Sequence, residues 1–280
     1  MNKYFFGFLL LVLSACGKDK GQAPPAEYPA TTAQDVSYGG DPLQKMDVYL
    51  PFRGPDTTKV IILIHGGAWL EGDKSDFNSF VPELQRRLPG YAIFNLNYRL
   101  YLNNTNRFPT QEEDIKSAFN FIYSRRNEYH ISDKFVLLGA SAGGHLALLQ
   151  GNKYSTPVKP KALVSFFGPV ELVSLYNSSQ YTASILLKLT GGTPATVPAI
   201  YESSSPSNYI TPSSPPTIFL QGGADTVVPP SQSQLLQNLL QAANVPNQYV
   251  FYPTQGHGWV GADLQDSFDK IAAFIKAHVQ

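Results

Sequence analysis

The chain has 280 residues, 43% of them hydrophobic and 15% charged, enough for one large hydrophobic core or two small ones. Its 21 Lys and Arg balance 21 Asp and Glu, and no basic stripe interleaves with aromatics, so nucleic acid is excluded as an expected partner. Aromatic residues make up 12% of the chain, which suits either a rich core or a pocket that stacks on sugars or aromatic acids.

In chain order, Lys3 precedes an apolar run, Tyr4–Leu13. That run is too short to span a bilayer, which takes roughly 20 residues. It ends in Leu13-Ser14-Ala15-Cys16. Small residues ahead of a cysteine at the end of such a run resemble a bacterial lipoprotein signal, in which the cysteine is lipidated and becomes the first mature residue. Residues 1–15 are therefore expected to be a signal peptide, with Cys16 the lipid-anchored residue. Residues 16–34, polar and rich in Pro, Gly and Ala, read as a flexible tether. The implied location is the bacterial cell envelope, on the periplasmic or outer-membrane face, with the membrane as a partner through Cys16. An ordinary secretory signal that happens to contain a cysteine is the alternative. Cys16 is the single cysteine, so no internal disulfide is available.

From residue 35 onward short apolar runs alternate with helical stretches. Strands are expected at 45–50, 59–64, 91–96, 134–138, 162–166, 216–221 and 248–252. KVIILI (59–64) is nearly continuous and β-branched, as a strand buried on both faces must be. Helices are expected at 111–126, 142–149, 231–242 and 263–277, where apolar residues recur at helical spacing. Alternation of this kind implies βαβ units and a mostly parallel sheet flanked by helices, in a single α/β domain over 35–280. Residues 171–214 break the rhythm with Ser, Thr, Pro and Tyr and no clear strand. An insertion of that length inside a compact domain reads as a lid or a pocket wall.

GASAGG (139–144) follows the strand KFVLL (134–138). A G-x-S-x-G pattern alone is a weak signal, but between a buried strand and a helix of small residues it reads as a nucleophile elbow. There the serine is lifted from the sheet edge, and the flanking glycines let strand and helix close together. The helix N-terminus points free N–H groups at developing negative charge. Ser141 is the candidate nucleophile.

A serine hydroxyl needs a base. Of the five histidines, His130 lies in a connection ahead of the serine, His145 lies one helical turn past it, and His278 sits at the C-terminus. His65 opens HGGAW. His257, between Gly256 and Gly258 in the loop after the last strand, is the candidate base. Among the acidic residues after Ser141, Asp225 stands just past the C-terminal end of a buried strand, where functional loops of such sheets gather. It is the candidate orienting acid. Asp263 is second and reads as a helix N-cap. The order Ser141, Asp225, His257 is that of hydrolases built on this elbow.

HGGAW (65–69) directly follows KVIILI. Gly67 and Ala68, with Ala142 behind the serine, are the expected N–H donors to an oxyanion. His65 is expected to hold that loop and not to move protons. Trp69 and Trp259 are candidate walls of a substrate pocket.

IHGGAWLEGDKSDF, NYRL, GASAGGHLA, QGGADTVVP and GHGW resemble, in order and spacing, the α/β-hydrolase esterases of the hormone-sensitive-lipase-like kind. More closely, they resemble the bacterial feruloyl/acetyl esterase type, BD-FAE-like. The resemblance covers about residues 36–280. It implies an α/β-hydrolase fold with the 171–214 insertion after the sixth strand, a Ser-His-Asp carboxylesterase and small-molecule or oligosaccharide ester substrates. One position departs from the usual HGGG loop: Ala68 replaces the third glycine. No cofactor or metal is implied, because HExxH, a cysteine pair and a phosphate-binding loop are all missing. An amidase, formamidase or peptidase on the same three residues, or a non-catalytic binding module on this fold, stays open at the level of sequence.

Overall fold

The computed structural model describes residues 28–52 and 58–280. The expected signal peptide, Cys16 and the tether as far as residue 27 lie outside the described residues.

Eight strands among the described residues form one sheet: β1 (Thr31–Ser37), β2 (Lys45–Leu50), β3 (Thr58–Ile64), β4 (Tyr91–Leu96), β5 (Ile131–Ala140), β6 (Ala162–Phe166), β7 (Thr217–Gly222) and β8 (Asn247–Tyr252). Their spatial order is β1-β2-β4-β3-β5-β6-β7-β8. β1 and β2 pair antiparallel, as do β2 and β4. All later pairs are parallel. The register sets Ile64 beside Gly139, and Gly139 beside Ser165, so the C-terminal ends of β3, β5 and β6 come level with one another.

Alternation along the central strands divides the core into two layers. Ile61, Leu63, Val136, Leu138, Val164 and Leu220 face α1 (Phe80–Arg87) and α8 (Ala262–His278). Val60, Ile62, Phe135, Leu137, Leu163 and Phe219 face α2 (Thr110–Ser124), α3 (Ala142–Lys153) and α7 (Pro230–Ala242). With both faces covered, the parallel strands must be apolar throughout, and β3, β4, β6 and β7 are buried along almost their whole length.

β1 and α1 lie outside the elements expected from the sequence. β1, TTAQDVS, is exposed at every position but Val36 and has no apolar alternation. It forms because its backbone pairs with β2, Thr31 opposite Leu50. The sheet therefore begins inside the stretch read as tether, at Thr31 instead of residue 35. Helix α1 holds Pro82 in its first turn, where a missing N–H leaves no gap in the helical ladder.

Between β6 and β7 the chain makes α4 (Leu172–Ser178), α5 (Gln180–Thr190), α6 (Pro198–Ser203) and a 3-10 turn. Leu172, Leu175, Leu186, Leu189 and Tyr201 join the α2/α3 side of the core. Gln232 of α7 clamps the entry to this segment. Its Oε1 accepts from Val170 N at 2.7 Å and Glu171 N at 2.8 Å, and its Nε2 donates to Glu171 O at 3.0 Å and Ser174 Oγ at 2.6 Å.

Candidate active site

β5 ends at Ala140 and α3 begins at Ala142, leaving Ser141 alone in the turn at φ 53°, ψ −120°. A non-glycine residue in that region is strained, at a cost of order 1–3 kcal/mol. The strain is held by the backbone on both sides: Ser141 N donates to Phe166 O at 2.8 Å, and His145 N donates to Ser141 O at 3.0 Å. Two residues on, only glycine fits. A Cβ on Gly143 would stand 1.9 Å from Ile64 O, inside the end of the neighbouring strand.

Three side chains from distant loops meet at this turn. His257 Nε2 lies 2.9 Å from Ser141 Oγ, and His257 Nδ1 lies 2.8 Å from Asp225 Oδ2. Asp225 is buried and fully engaged. Its Oδ1 accepts from Val227 N at 2.8 Å and Val228 N at 2.9 Å, while Oδ2 also accepts from Gln221 Nε2 at 3.1 Å. A carboxylate can only accept, so Nδ1 of His257 carries the proton and Nε2 faces the serine as a bare acceptor. The side of this ring packs on Phe167, with centroids 4.5 Å apart.

The HGGAW loop turns through three consecutive left-handed residues: Gly67 at φ 98°, Ala68 at 53° and Trp69 at 61°. At Gly67 a Cβ would meet Glu71 O at 2.0 Å. Ala68 takes its left-handed conformation in spite of its Cβ. The N–H groups of Gly67, Ala68 and Ala142 have no acceptor among the described residues. His65 is buried and donates from Nδ1 to Gly66 O at 2.8 Å, and it stacks on Tyr98 at 4.3 Å between ring centroids. Tyr98 Oη donates to the carbonyls of His65 and Gly66. Burial lowers the His65 pKa below its ordinary value, which keeps the ring neutral. The ring braces the loop, as expected of it.

Two cavities meet at Ser141. An apolar pocket runs under the insertion between Trp69, Leu175, Ile185, Leu186 and Val228. A wider open cleft of about 320 Å³ adjoins it, sharing Ala68, Ser141 and Val227 and otherwise lined by Gly66, Glu71, Asp76, Phe167, Tyr181 and His257. Trp69 lines the apolar pocket. Trp259 does not. It lines a neighbouring cavity with Phe80, Phe166, Phe167 and Leu264, and its Nε1 donates to Ser267 Oγ at 2.9 Å. That bond draws the indole toward α8 and away from the serine. Asp263 is also reassigned: Gly261 occupies the cap of α8, and Asp263 sits in the first turn, accepting from Gln255 Nε2. His145 is fully buried, with Nε2 donating to Ser204 O at 2.7 Å.

Several residues at the site escaped the sequence reading. Phe167, at φ 39°, forms the rim next to His257. Val227 and Val228 both hold Asp225 by their N–H groups, and both line the apolar pocket. Their one signal was position, directly after the acid.

A family model described as BD-FAE matches residues 46–240. Among solved structures, a bifunctional GH43-CE from Bacteroides eggerthii is 27% identical with a TM-score of 0.80, covering 89% of this chain and 38% of that one. A truncated carbohydrate esterase from gut microbiota is 25% identical with a TM-score of 0.74, covering 89% of this chain and 99% of that one. Among curated sequences, an isoprenylcysteine alpha-carbonyl methylesterase of Arabidopsis thaliana is 25% identical over 276 residues, covering 87% of this chain. The chain spans 62% of that relative's length, less than two thirds. Sheet order, elbow and neighbours together give the α/β-hydrolase fold.

Proposed function

The chain belongs to the BD-FAE family, and we propose that it is a serine carboxylic-ester hydrolase acting on small acyl esters through Ser141, His257 and Asp225. The observation that carries this reading is the continuous hydrogen-bonded line Ser141 Oγ–His257 Nε2, His257 Nδ1–Asp225 Oδ2, at 2.9 and 2.8 Å.

In the proposed reaction His257 Nε2 takes the Ser141 proton as Oγ bonds to the acyl carbon. The carbonyl π pair moves to its oxygen, and the N–H groups of Gly67, Ala68 and Ala142 stabilise the charge. One such donor is worth about 3 kcal/mol at the transition state. The tetrahedral intermediate collapses, the carbon–oxygen bond to the alcohol breaks, and the imidazolium returns its proton to the departing oxygen. Asp225 stabilises that imidazolium and fixes the tautomer, without becoming protonated. Water, deprotonated by the same nitrogen, then releases the acid and restores Ser141.

The carbohydrate esterase among the structural relatives supports a carbohydrate ester as substrate, and the resemblance of the sequence motifs to feruloyl/acetyl esterases points to acetyl or feruloyl groups on it. The open cleft beside His257 is wide enough for a sugar alcohol. A fluorophosphonate probe tests the reading: it labels the wild type and not Ser141→Ala, and p-nitrophenyl acetate is hydrolysed faster than a peptide anilide or N-formylkynurenine. Equal labelling of both proteins, or faster turnover of the amides, overturns it.

The sequence ahead of the fold supports a second part of the proposal, that Cys16 is lipidated and tethers the domain in the cell envelope. No helix among the described residues is long and apolar enough to cross a membrane. Cys16→Ala should move the protein from the membrane fraction to the soluble one, and unchanged membrane retention contradicts the anchor.

A further inference from the structure

We propose that helix α5 of the insertion is a ruler for acyl length: Ile185 and Leu186 close the pocket behind Ser141 so that it admits an acetyl group and refuses a feruloyl arm. This rests on the esterase reading above and narrows it.

The pocket is small. The space open to the centre of a water molecule is about 20 Å³, and one water needs roughly 10–15 Å³ by that measure. A methyl or ethyl group fits. A feruloyl group adds a rigid double bond, an aromatic ring, a methoxy group and a phenol behind the carbonyl. The lining also lacks a partner for that phenol. Thr182 is the polar side chain of the insertion on this wall, and its Oγ1 already donates to Ser179 O at 3.0 Å. The indole N–H of Trp69 is unpaired but sealed from the pocket.

The wall is also braced. Leu186 and Leu189 are completely buried. Ser179 caps the start of α5, accepting from Thr182 N, and its far end is held where Phe108 N donates to Leu189 O at 2.9 Å. With the Gln232 clamp at the entry to α4, the insertion is fastened at several points. A braced wall measures chain length, whereas a hinged lid would open for any acyl group. The wide cleft adjoining it at Ser141 is lined by His257 and takes the alcohol, so the site pairs a small acid with a large alcohol.

The experiment compares kcat/KM for p-nitrophenyl acetate, butyrate and octanoate, and for methyl ferulate, in the wild type, Leu186→Ala and Ile185→Ala. The wild type should favour acetate over octanoate by at least tenfold and leave methyl ferulate nearly untouched. Ile185→Ala removes a side chain only partly buried at the edge of the core and should fold; either variant should raise the octanoate-to-acetate ratio several-fold. Wild-type turnover of methyl ferulate or octanoate at the acetate rate overturns the ruler, as does an unchanged ratio in folded Ile185→Ala. Fluorophosphonate labelling separates the two levels: labelled Ser141 with a flat chain-length profile rejects the ruler alone, whereas absence of labelling and of all ester turnover rejects the esterase reading.

Discussion

His145 Nε2 donates to the backbone oxygen of Ser204 at 2.7 Å, joining the helix behind Ser141 to the insertion that roofs its pocket. The same ring meets Trp69 edge-on, with centroids 5.1 Å apart. One buried imidazole thus touches the elbow helix, the HGGAW loop and the insertion.

That contact makes stability depend on acid. Burial holds the His145 pKa down to about 4, against 6.5 for a free imidazole. Above pH 6.5 the ring is neutral in the folded and unfolded chains alike. As pH falls, the unfolded chain gains a proton that the folded chain refuses until about pH 4, so stability is lost across that window. At most about 3 kcal/mol is at stake, of which about 2 kcal/mol goes by pH 5. His145→Gln keeps an N–H donor for Ser204 without a titrating group. Urea denaturation at pH 7 and pH 5 should show a larger loss for the wild type than for His145→Gln; equal losses contradict this role.

Asp225 selects the tautomer of His257. Asp225→Asn keeps the shape but offers an N–H where Nδ1 needs an acceptor, turning the wrong nitrogen toward Ser141. The expected outcome is a fall in kcat of about 10⁴-fold with little change in fold or KM. Steady-state kinetics on p-nitrophenyl acetate, with circular dichroism as the folding control, measures it. A loss below tenfold would contradict the assignment.

The elbow tolerates no side chain at its second glycine. Gly143→Ala drives a methyl to within 1.9 Å of Ile64 O, which is backbone and cannot swing aside. Destabilisation of about 3 kcal/mol is expected, visible as a lowered urea midpoint together with lost activity. A variant as stable as the wild type would show that strand and helix sit farther apart.

Trp69 and Trp259 should behave differently although both were read as pocket walls. Trp259→Phe loses the bond to Ser267 and should cost about 1 kcal/mol of stability with kcat/KM nearly unchanged. Trp69→Phe alters the wall beside Ser141 and should change the ratio of butyrate to acetate turnover. Opposite behaviour of the pair in thermal melts and kinetics would reverse their placement.

The parallel strands were legible because burial on both faces demands unbroken apolar runs such as KVIILI, and the elbow because GASAGG follows one. Ser141, Asp225 and His257 could be named by elimination among few candidates. β1 was not legible, since TTAQDVS is held by backbone pairing and its side chains face water. The insertion helices were hidden as well. α4 and α6 are short and rich in Ser and Tyr, and Leu172 and Tyr201 show their purpose only once they meet the core. Trp259 misled because it stands two residues from His257 in sequence, while Gly258, at φ 114°, turns the chain between them.

Intact-mass and peptide mapping after brief exposure to a short fluorophosphonate tests the central claim most directly. The account expects a single adduct on Ser141 in the wild type, slowed by several orders of magnitude in His257→Ala. An adduct on another residue, or labelling at the same rate without the imidazole, would contradict it.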